Sequence, residues 1–237
     1  MARGRGGTGR TPRPKRATGA APPRARRASP ASAPTPEPPP PERFVLGAIP
    51  GATLGKWIDA WSRRMPRTPL VLREIAVSDQ RSALDADDLD AALVRLPIDR
   101  ADLHVIPLYD EIPVVVCSAE SHLTAADELE LDDLAGEVVI APADDVLAVT
   151  APDAAPAAFD PPATTADAVE IVAAGVGVLI VPMSLARLHH RRDVAFRPLR
   201  DGPTSTVALA WHASRTTPAV DTFVGIVRGR TANSSRG

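Results

Sequence analysis

The sequence predicts an α/β fold built on a parallel sheet, and three observations carry that expectation. From Phe44 onward, short apolar runs alternate with segments of helical periodicity. The connections between them are short, which favours right-handed strand–helix–strand units. A chain of 237 residues that is 44% hydrophobic is long and apolar enough to bury a core.

The elements follow in order. FVLGA (44 to 48) is a candidate strand that feeds the loop IPGAT. Leu54, Ile58, Trp61 and Met65 then recur at helical spacing until Pro66 stops the helix. PLVLREI (69 to 75) is a second strand, and Ser78 can cap the short helix after it by accepting from a first-turn N–H. LDAALV (89 to 94) is a third strand, ending at Arg95. IPVVVCS (112 to 118) and VVIAP (138 to 142) read as strands. TTADAVEIVAAG (164 to 175) reads as a helix with Thr164 or Thr165 as cap and Gly175 as stop, and VGVLIVP (176 to 182) as the strand after it. The proline-rich run between Pro142 and Thr164 makes a poor helix. VALAWH (207 to 212) and PAVDTFVGIV (218 to 227) close the chain as a strand and a helix.

Charge is unevenly spread. Residues 1 to 40 hold nine Lys+Arg against the single acid Glu37, a charge of +8; the remaining 197 residues hold 18 against 28, a charge of −10. Residues 1 to 43 contain no aromatic, Ile, Leu or Val before the body begins, so they cannot offset their ordering entropy and read as a disordered basic tail with a polyproline spacer. Arg3, Arg5, Arg10, Arg13, Lys15, Arg16, Arg24, Arg26 and Arg27 are its candidate phosphate-binding residues; a solubilising tail is the alternative. Residues 231 to 237 are expected to be a second disordered end. No secretory signal and no apolar stretch of spanning length is present, so no membrane association is expected. The lone Cys117 fits a reducing compartment, and cytoplasm is the expected location. An Arg-rich start also resembles an organelle transit peptide, but the prolines would spoil its helix.

The blocks DLDAALVRLPID, LHVIPLYDEIPVVVCSAESHLT, VAAGVGVLIVPMSLARL and PLRDGPTSTVALAW, in this order and spacing, resemble the effector-binding domain of LysR-type transcriptional regulators over roughly residues 44 to 228. The resemblance implies a type 2 periplasmic-binding-protein fold: two α/β lobes, crossed twice by the chain, with an effector cleft between them. Lobe I would comprise 44–113 and 197–230, and lobe II 114–196. The resemblance says nothing of catalysis: such domains bind small metabolites and usually pair as homodimers, and neither an enzymatic activity nor a cofactor is expected here. Two features depart from the family pattern. The expected winged helix-turn-helix and linker helix are replaced by the basic tail, and residues 142 to 164 look abridged.

In open parallel sheets ligands gather at the carboxyl ends of strands. Arg95 stands there, the matching family position often carries an effector-contacting arginine, and a guanidinium can hold a carboxylate through two parallel bonds. The expectation is that Arg95, with Leu96 and Pro97 beside it, faces a wet cleft and supports little of the core. Gly51, Ala52 and Thr53 after the first strand, and Ser78 after the second, are candidate ligand contacts or helix caps. On the fold that the resemblance implies, Thr164 and Thr165 would face the cleft, and Pro182 and Met183 would line it. The five histidines show no metal-ligand spacing, and no nucleophile elbow, phosphate loop or dinucleotide fingerprint appears. A solute-binding protein of a transport system and an enzyme of the same fold remain the competing readings; the first lacks a signal segment and the second a paired acid and base.

Overall fold

The structure, a computed structural model, describes residues 43–229. The expectations placed on the basic tail and on the C-terminal end lie outside these residues.

Strand β1 (Phe44–Ala48) is buried along its whole length, as an apolar run flanked on both sides must be. It pairs in parallel with β2 (Leu70–Glu74) and with β3 (Ala91–Arg95). Helix α1 (Gly55–Arg64) links β1 to β2, and the six-residue α2 (Gln80–Asp85) precedes β3. The parallel expectation therefore holds for these three strands. Beyond them the sheet turns antiparallel: β9 (Ser205–His212) lies between β3 and β4 (Leu103–Glu111), giving the order β2-β1-β3-β9-β4.

The second sheet has the order β6-β7-β5-β8. It contains β5 (Pro113–Ser118), β6 (Val139–Ile140), β7 (Val178–Pro182) and β8 (Val194–Pro198). Helix α3 (Thr165–Ala173) and the short α4 (Met183–Leu188) pack on it. The chain passes from the first sheet to the second at Ile112 and returns between Pro198 and Ser205. Between Ile140 and Thr165 there is no helix or strand, yet Leu147, Val149 and Ala151 pack into the core of the second sheet.

Each sheet has an apolar cluster on either face. In the first sheet, one face is covered by α1 and by α5 (Pro218–Val227) around the rings of Phe44, Trp61 and Phe223. Helix α5 starts where Thr217 accepts from Val220 N with proline at the first position. Two expected caps are absent: α1 has Leu54 at its N-cap, and Ser78 donates to Asp79 Oδ1 instead of accepting from the helix. At α3 the expected cap is present, with Thr164 Oγ1 accepting from Asp167 N and Asp167 accepting in return from Thr164 N.

Candidate functional site

Four strand or helix ends meet where the chain crosses between the sheets: β3 ends in Arg95, β4 in Glu111, β9 begins with Ser205, and α4 begins with Met183-Ser184. Arg95 Nη1 donates to Glu111 Oε2 at 2.8 Å and to Ser205 Oγ at 2.6 Å. Ser184 Oγ, from the second sheet's side, donates to the same Glu111 oxygen at 2.9 Å. Met183 N donates to Ile112 O at 3.0 Å, a further tie across the crossover. The Gln80 side chain closes the end of β3: its Nε2 donates to Arg95 O and its Oε1 accepts from Arg95 N.

Arg95 is 2% exposed and Glu111 9%. The expectation that Arg95 faces a wet cleft and supports little of the core is therefore corrected. A guanidinium cannot be sealed from water without a counter-charge, and Glu111 supplies it. The strand ends on a charge because an ion pair is built into the crossover. Nothing in the local pattern of β3 announces this, since its partner lies sixteen residues on, in a strand the sequence does not advertise.

Beside this pair is a cavity of about 300 Å³, lined from the first sheet's side by Gly51, Thr53 and Tyr109 to Ile112, and from the second by Met183, Ser184 and Arg187. Among the expected site residues it thus brings together Gly51, Thr53 and Met183. Ala52 packs into the apolar clusters, and Pro182 is buried at the end of β7. Ser78, Arg95, Leu96 and Pro97 do not line the cavity, nor do Thr164 and Thr165. Thr164 is engaged as a cap and Thr165 Oγ1 donates to Asp144 Oδ1 at 2.9 Å, so the hydroxyls expected to face a ligand are bound locally.

Gly51 has φ +80°, and a Cβ there would stand 2.7 Å from Ser184 Oγ. It is glycine both for the left-handed turn and for the close approach of the two sides. Tyr109 Oη accepts from Thr53 N at 3.4 Å, joining β4 to the loop after β1. The guanidinium of Arg187 has no hydrogen bond or ion pair among the described residues and is exposed at the cavity wall. The sequence reading missed Tyr109, Glu111, Ser184 and Arg187. A usable signal was available for Ser184, which opens a helix directly after an apolar strand, where ligand contacts gather; Arg187 follows one turn later on the same short helix.

A wider depression of about 490 Å³ lies at the other end of β5, lined by residues that include Ser118, Gly175, Arg192 and Asp193. Asp193 is paired with Arg191 there, and the depression is separated from the crossover by the length of β5, roughly 17 Å at the usual strand rise. The crossover cavity is the better candidate because both sheets contribute to it. Among the described residues no group of three His, Cys, Asp or Glu could hold a metal ion, and no helix is long and apolar enough to cross a membrane. Cys117 is fully buried in β5, and burial pushes its thiol above the ordinary value.

Burial likewise pushes the Tyr109 hydroxyl above its ordinary 10.0. The neutral phenol is thus favoured in the folded state. Its contribution to stability is present below the ordinary value and is lost as pH rises through the raised one. Tyr109 is the chain's only tyrosine, so phenolate absorbance reports it alone. The titration midpoint should lie above that of a tyrosine model peptide, and Thr53→Pro, which removes the N–H that favours the phenolate, should raise it further.

Residues 39–232 match the LysR substrate binding domain. The chain is 24% identical over 205 residues to the Hca operon transcriptional activator HcaR of Escherichia coli, covering 81% of this chain and 69% of that protein. It is 30% identical over 168 residues to the HTH-type transcriptional regulator CatR of Pseudomonas putida, covering 67% of this chain and 57% of that one. The fold is similar to the effector binding domain of a BenM variant, with a TM-score of 0.67 at 19% identity over 82% of this chain and 96% of that one. Two sheets crossed twice, a cavity at the crossover and the match over most of its length lead to one conclusion: the chain belongs to the LysR substrate-binding-domain family.

Proposed function

We propose that the crossover cavity binds a small organic acid as the effector of a LysR-type regulator, with Arg187 holding its carboxylate. The family supports an effector-binding role in transcription regulation. The observation that carries the acid is the unpaired Arg187 guanidinium on the cavity wall, opposite the N–H and hydroxyl groups of Thr53 and Tyr109. A guanidinium offers a carboxylate two parallel charge-assisted bonds. Arg95 acts in this reading as a positioning residue, because its counter-ion is already in place. The effector is monitored from within a cytoplasmic regulator, and no catalytic step is involved.

Calorimetric titration of the full chain against a panel of small organic acids tests this. Arg187→Ala should weaken an acid that binds the wild type by about 10- to 100-fold, the worth of a charge-assisted bond, with an unchanged thermal midpoint. Arg187→Lys should restore part of the loss. Equal affinities in all three proteins would remove Arg187 from the site.

Two further parts of the reading concern assembly and DNA. A homodimer is supported by strand β2, which lies at the edge of its sheet and leaves Val71 and Leu72 42% and 46% exposed. Contact with DNA is assigned to the nine cations of residues 1 to 40, acting on phosphates. If about six to nine phosphates are engaged, log K should fall against log salt with a slope near −0.9 per phosphate. Full DNA affinity in a chain beginning at residue 42 would overturn the assignment to the tail.

A further inference from the structure

Glu111 presents an acceptor in the cavity that Arg187 lines. Its Oε2 takes both Arg95 Nη1 and Ser184 Oγ, and no hydrogen bond among the described residues falls on Oε1. Arg95 Nε is the one buried side-chain nitrogen or oxygen without a partner among those residues. Oε1 is therefore the oxygen of this carboxylate left open to solvent in the cavity. A carboxylate held by a guanidinium only accepts hydrogen bonds. A ligand that covered Oε1 with an apolar group or another carboxylate would remove its solvation and return nothing, which costs affinity.

The charges fix how a ligand must lie. Arg187 is the only cation on the cavity wall among the described residues, while Asp110 and Glu111 are both acidic. An effector carboxylate goes to Arg187, and what reaches Glu111 has to bring a hydrogen. The volume of about 300 Å³ is at the small end for ligand sites, so the two groups must be close together in the molecule. We infer that the effector is a carboxylic acid that also carries an O–H or N–H donor a few bonds from its carboxylate, and that Glu111 Oε1 selects for that donor. This rests on the reading of the cavity as an acid site, and it goes beyond that reading by naming the second group.

Matched acids test it on the full chain by calorimetry: benzoate beside 2-hydroxybenzoate and 2-aminobenzoate, and propionate beside lactate and alanine. In a set that binds, a donor-bearing member should bind at least about tenfold tighter than its parent, the worth of one hydrogen bond to a charged group. Whether the hydroxyl or the amino member gains more identifies the donor. Glu111→Gln should shrink that ratio, since its uncharged amide is a weaker acceptor; should this variant not fold, the comparison within the wild type decides alone. Equal affinities within a set, both weakened by Arg187→Ala, would overturn the role of Glu111 and leave the acid site standing. Failure of every acid in both sets to bind would overturn the acid site and this inference with it.

Discussion

Arg95→Ala should destabilise the fold by about 3–5 kcal/mol, read as a fall in the denaturant midpoint at unchanged slope. The substitution removes the counter-charge of Glu111, 9% exposed, and leaves its Oε2 with only Ser184 to bind it. It also leaves Ser205 Oγ, a member of a buried residue, without the donor 2.6 Å away. Against a typical total of 5–15 kcal/mol, that loss is a large fraction of what holds the domain together. Replacing both partners, Arg95→Met with Glu111→Leu, should recover most of it, because the penalty lies in the uncompensated charge and not in the missing attraction. A single mutant as stable as the wild type would mean that the pair is not sealed from water. The double mutant should still lose effector selectivity, since Glu111 is the group proposed to meet the ligand's donor. Stability and selectivity are thus separable in one pair of proteins.

The contrast between Arg95 and Arg187 shows what the sequence made legible. An apolar run that ends on arginine marks a strand end, and β3 ends at Arg95 as read. Whether that arginine meets solvent or a counter-charge depends on β4, and β4 was missed. Its nine residues include Pro107 and alternate poorly, which argues against a strand in a sheet interior. The strand forms because it is an edge, where a missing N–H is tolerated, and the pairing with β9 shifts register between Pro107 and Tyr109. Once β4 is in place, Glu111 falls beside Arg95 and Tyr109 beside the Thr53 loop. Strand β8 was missed too: VAFRP carries an arginine, whose Nε and Nη2 donate to Ala126 O and Thr124 O. The strongly periodic or wholly apolar elements, β1, α1, β5, α3, β7, β9 and α5, were readable because burial alone dictates them. The site was not, because it is assembled from strand and helix ends that meet only when both sheets are formed.

Trp61→Ala should cost about 3–5 kcal/mol, comparable to the loss of Arg95, through a different mechanism. Trp61 is fully buried on α1, with ring centroids 4.5 Å from Phe44 and 5.9 Å from Phe223, so it joins α1 to β1 and α5 in one aromatic cluster. Its Nε1 donates to Thr68 O at 2.7 Å, which ties the helix to the turn that leads into β2. Removing the indole opens a cavity among close-packed rings and orphans a buried carbonyl. Trp61→Phe separates the two contributions: it keeps most of the ring and loses the hydrogen bond, so about 1–3 kcal/mol should remain. The functional consequence follows from the chain path. The loop carrying Gly51 and Thr53 is held at one end by β1 and at the other by α1, and Phe44 and Trp61 join those two elements. Slackening that joint should weaken binding at the crossover cavity even though Trp61 does not line it. In Trp61→Phe, effector affinity should fall by less than in Arg187→Ala while stability falls by more. The opposite order, with affinity lost and the fold unchanged, would place Trp61 in the site and not beneath it.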